Sequence, residues 1–186
     1  LKLLPQEFRG NTEATAQVRA AFQVVHALTH QSIGKTIGMF DDTQHGPYLV
    51  MDFLPGMPLS RFAREYREQV GSISVTMAVA LLKPLAEALD YAHAKGVLHR
   101  DVKPENILVR VVEGKVSEVW LIDFGLAAEI RSTMTRHTNK TVDTRGTRPY
   151  MSPEQLKGKR HLWDCRTDQY ALAVVAYELL AGHLPF

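Results

Sequence analysis

Between Val97 and Leu108 the chain brings together three side chains with complementary chemistry: Asp101, Lys103 and Asn106, preceded by His99-Arg100. A carboxylate in such a loop can take the proton of a hydroxyl. An ammonium can neutralise an anionic group that is changing hands. An amide oxygen is a hard ligand and suits a hard cation. A further carboxylate, Asp123, follows the short apolar run Leu121-Ile122 and precedes Phe124-Gly125. A third stretch, Gly146-Thr147-Arg148-Pro149-Tyr150-Met151-Ser152-Pro153-Glu154, adds a hydroxyl and an acid. Taken singly, the first set reads as loop-capping polar residues and the second as a turn. Their occurrence in this order in one chain is what points to a site.

Residues so far apart need a scaffold, and the hydrophobic pattern outlines one. Leu1 to Pro5 reads as the end of a strand. From Thr15 to Leu28, Val18, Phe22, Val25 and Leu28 recur at spacings of four and three, which predicts an amphipathic helix. Thr36 to Phe40 and Tyr48 to Phe53 read as strands joined by the polar turn at 41–47. Leu54-Pro55-Gly56 breaks the pattern and divides the chain into residues 1–54 and 55–186. Beyond it, Leu82, Leu85, Leu89 and Ala92 form a helical stripe that closes on Lys95-Gly96. Pro84 inside that stripe predicts either a kink or a helix that begins near it. Strands follow at Ile107–Val112 and Val119–Ile122 around Glu113-Gly114-Lys115. Ala127 to Arg148 lacks apolar periodicity, as functional or disordered loops of that length do. The segment Asp168–Ala181 is apolar almost all round and reads as a fully buried helix. A small strand-rich part ahead of a mainly helical one makes an α+β chain.

The stretch His99-Arg100-Asp101-Val102-Lys103-Pro104-Glu105-Asn106 resembles the catalytic loop of eukaryotic-like serine/threonine protein kinases of the bacterial type, and Asp123-Phe124-Gly125 and Ser152-Pro153-Glu154 resemble that family's later motifs. The resemblance runs over essentially the whole chain. It implies a two-lobe protein-kinase fold, with a partial N-lobe at 1–54 and a partial C-lobe at 55–186, that moves the γ-phosphate of ATP to Ser or Thr hydroxyls of a protein. It implies Asp101 as the base that orients the hydroxyl and Lys103 as the neutraliser of migrating charge. Asn106 and Asp123 would be ligands of Mg2+, and Thr147 would contact the catalytic Asp and Lys. Lys2 would meet the α- and β-phosphates. Met51 would be the gatekeeper, with the Asp52 carbonyl and the Leu54 backbone at the adenine edge and Leu108 beneath the base. Asp168 would tie down the catalytic-loop backbone. Arg100 next to Asp101 implies a switch by phosphorylation at Thr138, Thr141 or Thr144, amid Arg136, Lys140 and Arg145.

Three departures qualify the resemblance. The family's glycine-rich loop would precede Lys2, so the chain reads as truncated there, and the helices expected after Phe186 would supply the Arg that pairs with Glu154. The third concerns the glutamate that normally pairs with the phosphate lysine: its place is taken by Ala21. Gln17, Gln23 or Asp123 would then be left to hold Lys2. That gap keeps an alternative in view, a pseudokinase that binds nucleotide or acts as a scaffold with little turnover.

The bulk composition excludes several classes. With 186 residues, 45% hydrophobic and 23% charged, the chain can bury a core, and its net charge of +2 is too small to argue for nucleic acid. One cysteine, Cys165, excludes a disulfide framework and fits a reducing, cytoplasmic setting. The apolar run at 171–181 is too short to span a bilayer, which leaves only a longer parent protein as the place for a membrane anchor.

Overall fold

A computed structural model describes residues 1–126, 129, 130, 133 and 146–186. Thr138, Thr141, Thr144 and the basic residues Arg136, Lys140 and Arg145 lie outside the described residues.

Among those described, the strands form two antiparallel sheets. The first has the order β1(Lys2–Leu3)-β3(Gly46–Met51)-β2(Thr36–Asp42), with Lys2 opposite Leu49. The second has the order β4(Met57–Pro58)-β5(Ile107–Val112)-β6(Lys115–Leu121), with Leu108 between Pro58 and Trp120. The segment ahead of β2 is tied to β6, where the Leu121 N–H donates to the Ser32 carbonyl at 2.8 Å and the Gly34 N–H to the Leu121 carbonyl at 2.9 Å. Close approach there requires glycine, since a Cβ on Gly34 would lie 2.7 Å from the Ile122 side chain.

Helix α1, Thr12–His26, starts three residues ahead of the predicted position because Asn11 caps it, accepting the Ala14 N–H at 3.0 Å. Its Ala14, Val18, Phe22 and Val25 face the core. Helix α2, Leu59–Val70, has no counterpart in the sequence reading. Leu59, Phe62 and Ala63 are buried in it and Tyr66 packs partly buried beside them, the i, i+3, i+4, i+7 spacing of an amphipathic helix, and Gly71 at φ 91° ends it. Helix α3, Val75–Ala94, is capped by Ser74 and runs on through Pro84 rather than starting there. Ala80, whose carbonyl loses its usual donor to the proline, is exposed to water, which limits the cost.

The short helix α4, Pro153–Leu156, opens on a capping box between Ser152 and Gln155. Helix α5, Cys165–Ala181, is capped by Asp164 and closed by Gly182 at φ 83°. Its burial is one-sided rather than complete. Thr167, Asp168, Ala171, Val174, Val175 and Leu179 are buried, whereas Tyr177 and Leu180 stay about half exposed. The helix packs on α3 and on the turn at Arg148–Tyr150 with one face only. A continuous apolar cluster runs from Leu4 and Phe8 through Leu49, Leu81, Leu85, Ile107 and Leu121 to Val175. No described helix is long and apolar enough to cross a membrane.

Candidate active site

The turn that carries His99, Arg100 and Asp101 leaves α3 and reaches β5 through the 3-10 turn Pro104–Asn106. It is held from beneath by Asp168. That carboxylate is 1% exposed and accepts the His99 N–H at 2.8 Å, the Arg100 N–H at 2.7 Å and a bond from His93 Nε2 at 2.8 Å. Both backbone donors would otherwise be buried without partners. His99 is itself fully buried. Its Nε2 faces the Ile122 carbonyl at 2.9 Å while its Nδ1 accepts the Asp101 N–H at 3.2 Å, a pattern that assigns the ring proton to Nε2. Phe124 packs edge-on against the same ring, with centroids 4.6 Å apart. One imidazole therefore links the segment before Asp123 to the backbone of Asp101.

Around Asp101, which is 3% exposed, three predicted side chains converge. Asn106 Nδ2 donates to its Oδ2 at 2.9 Å and to its carbonyl at 2.8 Å. Lys103 Nζ lies 3.4 Å from Oδ2 and donates to Thr147 Oγ1 at 2.7 Å. Asn106 thus spends both amide protons inward, which leaves its Oδ1 as the atom open to a cation. Lys2, on β1, sits 2.5 Å from Asp123 Oδ2, so of the partners foreseen for it the acid has been taken. Gln17 instead accepts a bond from Thr133 Oγ1 at 3.2 Å, Gln23 is exposed, and Ala21 packs against the core. Arg100 and Asp123 both adopt positive φ, 66° and 65°, although neither is glycine. Such backbone conformations persist where surrounding bonds hold them.

In the first sheet the central strand, β3, ends at Met51. The Asp52 N–H donates to the Lys35 carbonyl at 3.0 Å, and Gly56 turns back on the Leu54 carbonyl at 2.9 Å. Leu108 is half-buried on β5.

Glu154 is held by the Thr167 hydroxyl at 2.8 Å. Hydrogen bonding from the Ser152 hydroxyl, its own backbone N–H and Thr167 pulls its carboxyl below the usual carboxylate range. Tyr150 is driven the other way, above the ordinary phenol range, by burial and by its 2.7 Å bond to Glu178. Two residues at this site, His93 and Gln155, stand outside the sequence motifs described above. His93 ends the apolar stripe of α3 and carries no motif. Gln155 was signalled by the spacing Ser152-Pro153-Glu154-Gln155, a capping-box pattern. Its amide also reaches the Arg100 carbonyl at 3.0 Å.

The family model for the protein kinase domain matches residues 1–186. The serine/threonine-protein kinase Pkn1 of Myxococcus xanthus is 37% identical over the whole chain, and a probable serine/threonine-protein kinase of Clostridium perfringens is 35% identical. PknL of Mycobacterium tuberculosis is 34% identical. The chain spans 25%, 25% and 43% of the lengths of those three proteins. Among solved structures, the PknI kinase domain of Mycobacterium tuberculosis superposes with a TM-score of 0.73 at 26% identity, covering 99% of this chain and 63% of that one. Rad53 in complex with AMP-PNP gives 0.68 at 27% identity, covering 91% of this chain and 39% of that one. Motifs, fold and relatives agree: the chain belongs to the protein kinase domain family.

Proposed function

We propose that this chain catalyses transfer of the γ-phosphoryl group of ATP to Ser or Thr hydroxyls of a protein substrate. The observation that carries the reading is the contact of Lys103 with both Asp101 and Thr147. It unites a proton acceptor, a cation and a hydroxyl drawn from two separate segments. In the reaction, the substrate hydroxyl oxygen bonds to the γ-phosphorus as the bond to the β,γ-bridging oxygen breaks. The hydroxyl proton passes to the Asp101 carboxylate, and ADP leaves. Lys103 offsets negative charge on the moving group, and Thr147 holds Lys103 in place. The relatives named as serine/threonine-protein kinases support this acceptor class.

We assign Lys2 to the α- and β-phosphates, with Asp123 beside it in place of the missing acid. Met51, the Asp52 carbonyl, the Leu54 backbone and Leu108 are assigned to the adenine. The donor set of Asp123 carboxylate and Asn106 Oδ1 is all oxygen and fits Mg2+. A bound Mg2+ would screen the phosphate charge as it develops. We set this chemistry in the cytoplasm, where a thiol such as that of Cys165 stays reduced.

The test uses radiolabelled ATP, a generic protein acceptor and the full-length protein. Asp101→Asn keeps the side-chain shape and removes the base, so turnover should fall by about 10²–10⁴ while the protein still folds and melts cooperatively. Asp123→Asn should weaken Mg-ATP binding as well. Wild-type phosphorylation by Asp101→Asn would overturn the reading.

A further inference from the structure

Arg100 holds a left-handed backbone, φ 66°, immediately before Asp101. A long side chain gains nothing from that conformation, so the neighbours of its peptide groups must impose it. One clamp is Asp168 Oδ1, which takes the Arg100 N–H at 2.7 Å. The other is Gln155, whose Nε2 donates to the Arg100 carbonyl at 3.0 Å while its Oε1 accepts the Ser152 N–H at 3.0 Å. The amide is therefore engaged at both ends. Turning it over would set donor against donor and acceptor against acceptor.

Gln155 lies in the same stretch as Thr147, so this stretch grips the catalytic loop on both sides of Asp101. Thr147 holds Lys103 and Gln155 holds Arg100. We propose that Gln155 is a positioning residue for phosphoryl transfer: its amide fixes the peptide leading into Asp101, and so couples the seating of helix α4 to the aim of the base. This rests on the reading of Asp101 as the base.

Glutamate separates this role from plain helix capping. A capping box accepts Glu or Gln at this position, and an acid in the first turn is favoured by the helix dipole. Gln155→Glu thus keeps the bond from the Ser152 N–H but turns an acceptor toward the Arg100 carbonyl. Gln155→Ala removes both bonds. In the full-length protein, kcat of both variants should fall about tenfold to a hundredfold, the cost of a slightly misplaced reacting group. KM for ATP should stay within about twofold in both. The melting temperature should drop in Gln155→Ala alone. A kcat for Gln155→Glu near the wild-type value overturns the proposal. If that variant does not fold, a near-wild-type kcat for Gln155→Ala overturns it equally. Asp101→Asn, run alongside, shows which idea has failed. Its loss of activity with Gln155→Glu unaffected removes the positioning role alone, whereas its full activity removes the base and the positioning role together.

Discussion

Asp168→Asn offers a quantitative check on how the catalytic loop is held. The substitution keeps size and shape but replaces a charged double acceptor by a neutral amide with one oxygen. In the native site Oδ2 takes the His99 N–H and His93 Nε2, both at 2.8 Å, and Oδ1 takes the Arg100 N–H at 2.7 Å. The amide oxygen can stay with only one of the two backbone N–H groups, and its own NH2 must point at the other. A lost hydrogen bond to a charged group costs about 1.5–3 kcal/mol, and weakening the survivor from charged to neutral adds about 1 kcal/mol. The sum, about 2.5–4 kcal/mol, acts on two neighbouring amides. At about 1.4 kcal/mol per decade, it should speed their hydrogen exchange by roughly 10²–10³. Exchange followed by mass spectrometry on a peptide spanning 97–102, with and without the substitution, reads this locally. The amides of β5 should keep their protection, since Asp168 hydrogen-bonds to His93, His99 and Arg100 and to none of that strand. Unchanged exchange at His99 and Arg100 would refute the claim that Asp168 holds the loop.

Three more expectations follow from the charged groups around the site. Lys2→Ala leaves Asp123 without its cation, and it should lower both Mg-ATP affinity and turnover. A variant with wild-type nucleotide binding would remove Lys2 from the phosphate site, while Ala21→Glu should leave turnover unchanged or raise it by restoring the missing acid. For Glu154 the folded-state pKa lies below its ordinary value of 4.5. Its contribution to stability is therefore present above that value and is lost as pH falls through the depressed one. Glu154→Gln should be less stable than wild type at neutral pH, and denaturant midpoints should converge as pH drops below 4.5. A gap that stays constant with pH would contradict the assignment.

How much of this was legible beforehand depends on the range of the interaction. Local patterns were readable: the α1 stripe through Val18, Phe22 and Val25, the hairpin around Glu113-Gly114, and the ordered motifs at His99, Asp123 and Ser152 all depend on neighbours a few residues away. Those residues by themselves determined the family, the α+β class and the types of chemical group available. Helix α2 was legible in the i, i+3, i+4, i+7 spacing of Leu59, Phe62, Ala63 and Tyr66 but went unread, whereas the one-sided burial of α5 was not legible, because composition does not say which faces find partners. The pairings at the site were decided only by the tertiary structure. Lys2 lies 121 residues from Asp123, Asp168 69 from His99 and Gln155 55 from Arg100. Several polar groups were open to each of these, and a side chain bonds to whichever donor or acceptor packing brings within about 3 Å. So Gln17, a plausible partner for Lys2 by sequence alone, bonds to Thr133, and the lysine turns to Asp123.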